Sequence, residues 1–132
     1  QAQNAVLFAA GSCWEGVDFP GDMVSSLIVV RLPFPVPDPL SEAEREQYPT
    51  LQDYIKTVVI PDMQVKLRQG FGRAIRTETD TCVVSILDHR AAPGERYHKA
   101  VLDTLPPIRI TAKIEDVEDF IRAKKGPDYF TP

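Results

Sequence analysis

The sequence has few cysteines, and the two it has, Cys13 and Cys82, are not spaced like metal ligands. Two thiols so far apart predict incidental cysteines in a reducing compartment rather than a metal site or a disulfide-stabilised secreted domain. The chain also lacks an apolar run long enough to cross a bilayer and a charged-then-apolar leader. We therefore expect a cytoplasmic protein with no membrane partner.

An excess of basic residues is also missing. The formal net charge is -4, whereas a free-standing nucleic-acid-binding protein is typically basic. Basic side chains nevertheless cluster in mid-chain, at Lys66, Arg68, Arg73 and Arg76, so any contact with a polyanion should be local. The length of 132 residues and a hydrophobic content of 43% predict a single globular domain over residues 1–132.

Residues 69–76, Gln-Gly-Phe-Gly-Arg-Ala-Ile-Arg, form the segment around which the chain is organised. At about 100° per residue, a helix through this segment gathers its apolar side chains in a stripe roughly 120° wide. The stripe contains Met63, Leu67, Phe71, Ala74 and Ile75. Gln69, Arg73 and Arg76 gather on the opposite side, within roughly 60° of one another. One helix is thus predicted to bury one face and to present an amide and two guanidinium groups on the other.

Gly70 and Gly72 flank this polar face, and each costs a helix interior about 1 kcal/mol relative to alanine. Positions without a side chain beside two arginines indicate that a backbone or a ligand approaches closely. If residues 69–76 are considered alone, a solvated helix face with weak ion pairs is the more common explanation of two arginines three positions apart.

The distribution of apolar runs predicts an α/β fold with a mostly parallel sheet flanked by helices. Buried strands are expected at residues 5–10, 26–32 and 81–87, and helices from 41, at 51–57, at 61–76, at 94–105 and at 114–125. Ligands bind such sheets at the carboxyl ends of the strands. The loop at residues 11–21 and the turn at Asp88 each follow such an end.

Two blocks in order carry a family resemblance. Residues 11–21, Gly-Ser-Cys-Trp-Glu-Gly-Val-Asp-Phe-Pro-Gly, resemble motif V of the DinG/XPD branch of superfamily 2 DNA helicases, and residues 69–76 resemble motif VI. The DinG side is the more similar. Shorter pieces recur between and after them, at residues 31–34, 86–90, 97 and 105–106. The resemblance covers the chain to about residue 107.

This resemblance implies the carboxy-terminal part of the second RecA-like (P-loop NTPase-type) helicase domain, truncated at the amino end. In such helicases ATP and Mg²⁺ lie between two RecA-like domains and are held mainly by the first. Carried over by position, Arg73 and Arg76 are arginine fingers facing the γ-phosphate, with Gln69 beside them.

The two motif blocks imply further contacts. Gly16 and Asp18 are expected at the ribose edge of the nucleotide, and Gly70 and Gly72 beside the bound cofactor. Ser12 and Trp14 are candidates for contact with single-stranded DNA, although a packing role suits Trp14 equally well.

The departures from the family are as informative. The chain contains no G-x-x-x-x-G-K-[ST] stretch and no strand-end Asp-Glu pair for Mg²⁺, and two cysteines cannot hold a four-cysteine iron–sulfur cluster. We therefore expect the isolated fragment to be inactive, to hold no metal of its own and to require the first RecA-like domain. Two alternatives stay open: a non-catalytic nucleotide- or nucleic-acid-binding module, and an α/β interaction domain without a ligand.

Overall fold

A computed structural model describes residues 7–8 and 24–130. Within them two parallel strands, β1 (Ser26–Val29) and β2 (Val83–Ile86), pair in the register Ser26↔Val83 to Val29↔Ile86. Parallel pairing requires the chain to return from the carboxyl end of β1 to the amino end of β2. The intervening helices make that return, as the sequence predicts.

The return path contains α1 (Pro39–Arg45), α2 (Leu51–Tyr54), a π-helical turn (Ile55–Val59) and α3 (Ile60–Ala74). After β2 come a 3-10 turn (His89–Ala91), α4 (His98–Leu102), α5 (Ile114–Lys124) and a second 3-10 turn (Pro127–Phe130). Helices flanking a parallel sheet agree with the predicted α/β class.

The core lies where α3 and α4 meet one face of the sheet. Its buried residues are Val29, Leu32, Met63, Leu67, Phe71 and Val101. Leu27 and Val84 pack against this cluster from neighbouring positions of the two strands. Because side chains alternate along a strand, Ile28 points to the other face and is 57% exposed.

The predicted burial of this strand is therefore wrong for one face of β1. The strand is also shorter than residues 26–32, because the Leu32 N–H donates to the Asp88 carboxylate at 2.9 Å instead of to a neighbouring strand. Of the strand predicted at residues 5–10, the described Leu7 and Phe8 have no regular secondary structure and are exposed, so no buried strand includes them. The other residues of that segment lie outside the described ranges.

Two helix boundaries differ from the predictions for local reasons. α1 begins at Pro39 rather than near residue 41, because the Asp38 carboxylate accepts from the Ser41 N–H and the Ser41 hydroxyl accepts from the Asp38 N–H. The helix predicted at 94–105 is confined to His98–Leu102, since Gly94 has a φ of 85° and Tyr97 has φ -104° and ψ 2°, neither of which is helical. α5 matches its prediction to within one residue, but none of its side chains is buried.

Candidate nucleotide and nucleic-acid interface

Helix α3 is anchored by its apolar stripe. Met63 and Leu67 are 0% exposed, and Phe71 and Ala74 are also buried. A side chain without solvent contact contributes about 1.5–3 kcal/mol on burial, so the stripe locks the rotation of the helix about its axis. The predicted burial is confirmed for these four residues, whereas Ile75, the fifth member of the predicted stripe, is half-buried and lies beyond the end of the helix. Side chains on the opposite side of α3 are consequently held by a rigid helix.

A π-helical turn joins α2 to α3, so the two predicted helical pieces are one continuous helical path from Leu51 to Ala74. Pro61 has no N–H, and its ring clashes with a carbonyl four residues earlier in a regular α-helix. The wider turn accommodates the proline, with the Ile60 N–H donating to the carbonyl of Ile55. Thr50 caps the start of this path by accepting from the Asp53 N–H. Pro61 thus lies in the first turn of α3, as predicted, but it does not start a separate helix.

The polar side of α3 presents only part of the predicted set. Gln69 is exposed and Arg73 is half-buried in the last turn. The helix ends at Ala74, and Ile75 is extended with φ -130° and ψ 109°. Arg76 therefore lies beyond the helix, and the prediction that it belongs to one helical face with Gln69 and Arg73 is wrong. It occupies the turn that follows.

Asp80 explains why the helix stops. Its Oδ2 accepts from the backbone N–H of Arg76 at 2.8 Å and of Thr77 at 2.9 Å, the groups that a continuing helix would use internally. Its Oδ1 accepts from the Thr77 hydroxyl at 2.8 Å. The hydrogen bonds from the Arg76 and Thr77 N–H groups lower the pKa of Asp80 below its ordinary value. Asp80 thus holds the backbone from which the Arg76 side chain projects.

The two glycines differ in their surroundings. Gly70 is buried, so its lack of a side chain suits the packed side of α3. Gly72 is exposed, and no heavy atom of the described residues outside its own helical neighbourhood lies within 4 Å of where a Cβ would stand. Packing in the described part of the chain therefore does not demand glycine at position 72. Ser12, Trp14, Gly16 and Asp18 lie outside the described residues.

A second group of polar side chains lies at the carboxyl ends of the strands. Asp88 directly follows β2, and its carboxylate accepts from the Leu32 N–H and from the Arg90 side chain, with Nη2 to Oδ2 at 2.6 Å. Asp88 and Arg90 thus form an ion pair directly after β2. The side-chain hydrogen bonds from Arg90 outweigh the opposing effect of burial and lower the pKa of Asp88.

Sequence reasoning missed how far this group extends. The Arg90 guanidinium carbon lies 4.7 Å from the centre of the Phe34 ring, and the Phe34 and Tyr97 rings are 4.8 Å apart. The only signal was that residues 31–34, 86–90 and 97 all belonged to the short matching pieces. We call Asp88, Arg90, Phe34 and Tyr97 the edge cluster.

Beside the edge cluster is an open pocket of about 380 Å³. It is lined by Val30, Arg31, Leu87, Asp88, His89 and Arg90. Because α3 returns the chain to the amino end of β2, Gln69, Arg73 and Arg76 do not line this pocket. The structure therefore separates the basic side chains into an α3 group and a strand-end group.

Among residues 7–8 and 24–130, no three His, Cys, Asp or Glu side chains are grouped so that they could hold a metal ion. Within the same ranges, no helix combines the length and the apolarity that crossing a bilayer demands.

Comparison with known proteins adds family information. A family model described as "Helicase C-terminal domain" matches residues 1–108. "ATP-dependent DNA helicase DinG" of Photobacterium profundum is 40% identical over 107 residues, which are 80% of this chain and 15% of the relative. "3'-5' exonuclease DinG" of Bacillus subtilis is 34% identical over 127 residues, covering 94% of this chain and 14% of the relative. "ATP-dependent DNA helicase YoaA" of Haemophilus influenzae is 40% identical over 124 residues, which are 92% of this chain and 19% of the relative. The chain thus spans less than a fifth of the length of these relatives.

Proposed function

This chain belongs to the helicase C-terminal domain family as a DinG-like member, and from that premise we propose that it is the carboxy-terminal part of the second RecA-like domain of an ATP-dependent DNA helicase. Residues 1–132 form a single domain fragment in this proposal. It works against a first RecA-like domain, which holds ATP and Mg²⁺ and carries the residues that this sequence lacks. The parent protein acts on DNA in the cytoplasm.

The observation that carries the proposal is the way α3 is held. Met63 and Leu67 have no solvent exposure, so the helix cannot rotate without opening the core. Gln69 and Arg73 project from a side of the helix that is not in that core. A phosphoryl-transfer transition state spreads negative charge over equatorial oxygens, and a guanidinium held in advance stabilises that charge without reorganisation.

Arg76 reaches the nucleotide from a different support. It stands in the turn after α3, whose backbone Asp80 holds through the N–H groups of Arg76 and Thr77. The two fingers are therefore mounted separately, Arg73 on the helix and Arg76 on the turn. Gln69 lies one helical turn before Arg73 and positions the attacking water or a phosphate oxygen.

The remaining site residues complete the proposal. Gly72 leaves space beside Arg73, and both Gly70 and Gly72 lie beside the nucleotide that the first domain holds. Gly16 and Asp18 contact the ribose edge of the nucleotide. Ser12 and Trp14 contact single-stranded DNA, through the backbone and by stacking. Without the first domain, the fragment hydrolyses no ATP.

The test is the DNA-stimulated ATPase of the full-length protein that contains this chain. Arg73→Ala and Arg76→Ala should each lower kcat by a factor of about 10³–10⁵, because each removes a charge that acts in the transition state. Arg68→Ala is the matched control, since Arg68 is an exposed arginine on the same helix but is not in the proposed set. It should retain activity to within about twofold.

Activity to within about twofold in both finger variants would contradict the proposal. If the full-length protein instead bound nucleotide or DNA but hydrolysed no ATP, the non-catalytic binding module would be the correct alternative. If the full-length protein bound neither nucleotide nor DNA at low salt, where phosphate contacts are strongest, the ligand-free interaction domain would be the correct alternative.

A further inference from the structure

The pocket at the carboxyl ends of β1 and β2 is not lined by the proposed arginine fingers, Arg73 and Arg76. We propose that it binds a phosphate group of the DNA backbone through Arg31 and Arg90, with Asp88 as a positioning residue. This inference rests on the proposed function, because it takes DNA as the ligand of the parent protein.

The first argument is the state of the Arg90 guanidinium. Its Nε donates to Asp88 Oδ1 at 2.9 Å and its Nη2 to Asp88 Oδ2 at 2.6 Å. Among the described residues, Nη1 has no acceptor, and the side chain is 40% exposed. One terminal nitrogen with two N–H groups is therefore not used by the described part of the chain. Arginine is suited to phosphate oxygens because its donors lie in one rigid plane.

The second argument is that this plane is held in advance. Asp88 is 4% exposed and is itself held by the Leu32 N–H, so the carboxylate faces the interior. The Phe34 ring stacks against the guanidinium at 4.7 Å. Binding a ligand to such an arginine costs less side-chain entropy than binding it to a free one. Asp88 acts through Arg90, whose guanidinium it orients.

The third argument is the charge and size of the pocket. Asp88 neutralises Arg90, but Arg31 is exposed and has no hydrogen bond or ion pair with the described residues. Its charge makes the pocket cationic, and the ring of His89 adds a polar group. The volume of about 380 Å³ far exceeds that of one water.

The neighbours of the pocket favour a DNA strand over a free nucleotide. Val30 is 65% and Leu87 is 64% exposed, and both line the pocket beside the two arginines. Exposed apolar surface beside two guanidinium groups suits a sugar–phosphate chain that continues beyond the pocket. The location at the carboxyl ends of parallel strands is where ligands bind in such sheets.

The test uses the full-length protein, a single-stranded oligonucleotide and a series of salt concentrations. Losing one contact to single-stranded DNA reduces the slope of log affinity against log salt by about 0.7. Arg31→Ala should therefore weaken binding about eightfold at about 50 mM salt and about threefold at about 200 mM. Arg31 is exposed, so the variant should fold normally. Arg109→Ala, which removes an exposed arginine outside the pocket, is the matched control and should leave the slope unchanged.

A second variant isolates the positioning role. Arg90→Lys keeps the cation but removes the rigid planar donors that Asp88 holds, so it should weaken DNA binding while keeping nearly the full salt slope. A third measurement, nucleotide affinity in the absence of DNA, should be the same in Arg31→Ala as in the wild type.

An unchanged salt slope in Arg31→Ala would overturn the inference. So would a loss of nucleotide affinity with DNA binding intact, which would assign the pocket to a nucleotide phosphate. These outcomes differ from failure of the proposed function, in which the wild-type protein itself would bind no single-stranded DNA at low salt.

Discussion

Replacing Asp88 by asparagine removes one charge at the carboxyl edge without changing the size of the side chain. The two carboxylate oxygens accept from the Leu32 N–H, from the Arg90 N–H and from the Arg90 guanidinium. An amide has one acceptor oxygen, so its NH₂ group faces one of these donors in either orientation. At least one donor therefore loses its acceptor.

The cost follows from burial. A buried donor without an acceptor costs about 1–3 kcal/mol. Breaking a fully buried ion pair costs about 3–5 kcal/mol, but the Arg90 side chain is 40% exposed, so water solvates it and most of that penalty does not apply. We expect Asp88→Asn to lower the local free energy of opening by about 2 kcal/mol, which corresponds to about thirtyfold in the opening equilibrium.

Hydrogen–deuterium exchange of the full-length protein at about pH 7 measures this opening. The Leu32 amide should exchange about thirtyfold faster in Asp88→Asn than in the wild type, and amides of β1 should follow if the edge opens as a unit. Asp103→Asn, which changes an exposed carboxylate after α4, is the matched control. Unchanged exchange at Leu32 would refute the role given to the Asp88 carboxylate.

The difference in opening free energy between the wild type and Asp88→Asn should also depend on pH. Hydrogen bonds from the Arg90 side chain lower the pKa of Asp88 in the folded state, below the value of about 3.9 expected when unfolded. A lowered pKa stabilises the fold above the unfolded value, and that contribution is lost as the pH falls through the folded one. The difference between wild type and Asp88→Asn should therefore be constant from about pH 7 to 5 and shrink below about pH 4.

Two further predictions concern α3 and the turn after it. Leu67→Ala should lower the stability of α3 by about 3 kcal/mol, because Leu67 is 0% exposed. The control Val65→Ala, at a 50% exposed position of the same helix, should cost under about 1 kcal/mol. Hydrogen–deuterium exchange of the α3 amides in the full-length protein measures both effects, and equal effects would contradict the assigned burial. Asp80→Ala should lower the kcat of the DNA-stimulated ATPase by about 10-fold to 100-fold with little change in KM, because it frees the backbone that supports Arg76. Glu78→Ala, in the same turn, is the control. Equal rates in the two variants would show that Asp80 does not position Arg76.

The sequence was most informative where one periodic signal dominated. The stripe of Met63, Leu67 and Phe71 repeats at helical spacing, and all three are buried. The apolar runs of β1 and β2 likewise predicted parallel strands separated by helices. Such patterns succeed because burial of apolar area dominates the energy of an element, and spacing alone decides which side is buried.

Boundaries were decided by single polar contacts that periodicity does not contain. The projection carried α3 on to Arg76, but the Asp80 carboxylate competes for the Arg76 and Thr77 N–H groups and ends the helix at Ala74. The extent of β1 was likewise decided by Asp88, which takes the Leu32 N–H from 56 residues away. A contact between residues so distant in the chain has no signature in either local segment.

By itself, the sequence determined the α/β class, the family resemblance through residues 11–21 and 69–76, and the buried face of α3, because each depends on residue types at fixed local spacing. Only the tertiary structure decided that Arg31 and Arg90 line one pocket at the strand ends, whereas a local contact of Asp80 separates Arg73 on the helix from Arg76 in the turn. The physical reason is that parallel pairing places the carboxyl ends of β1 and β2 side by side, although the whole helical return path separates the two strands in the chain.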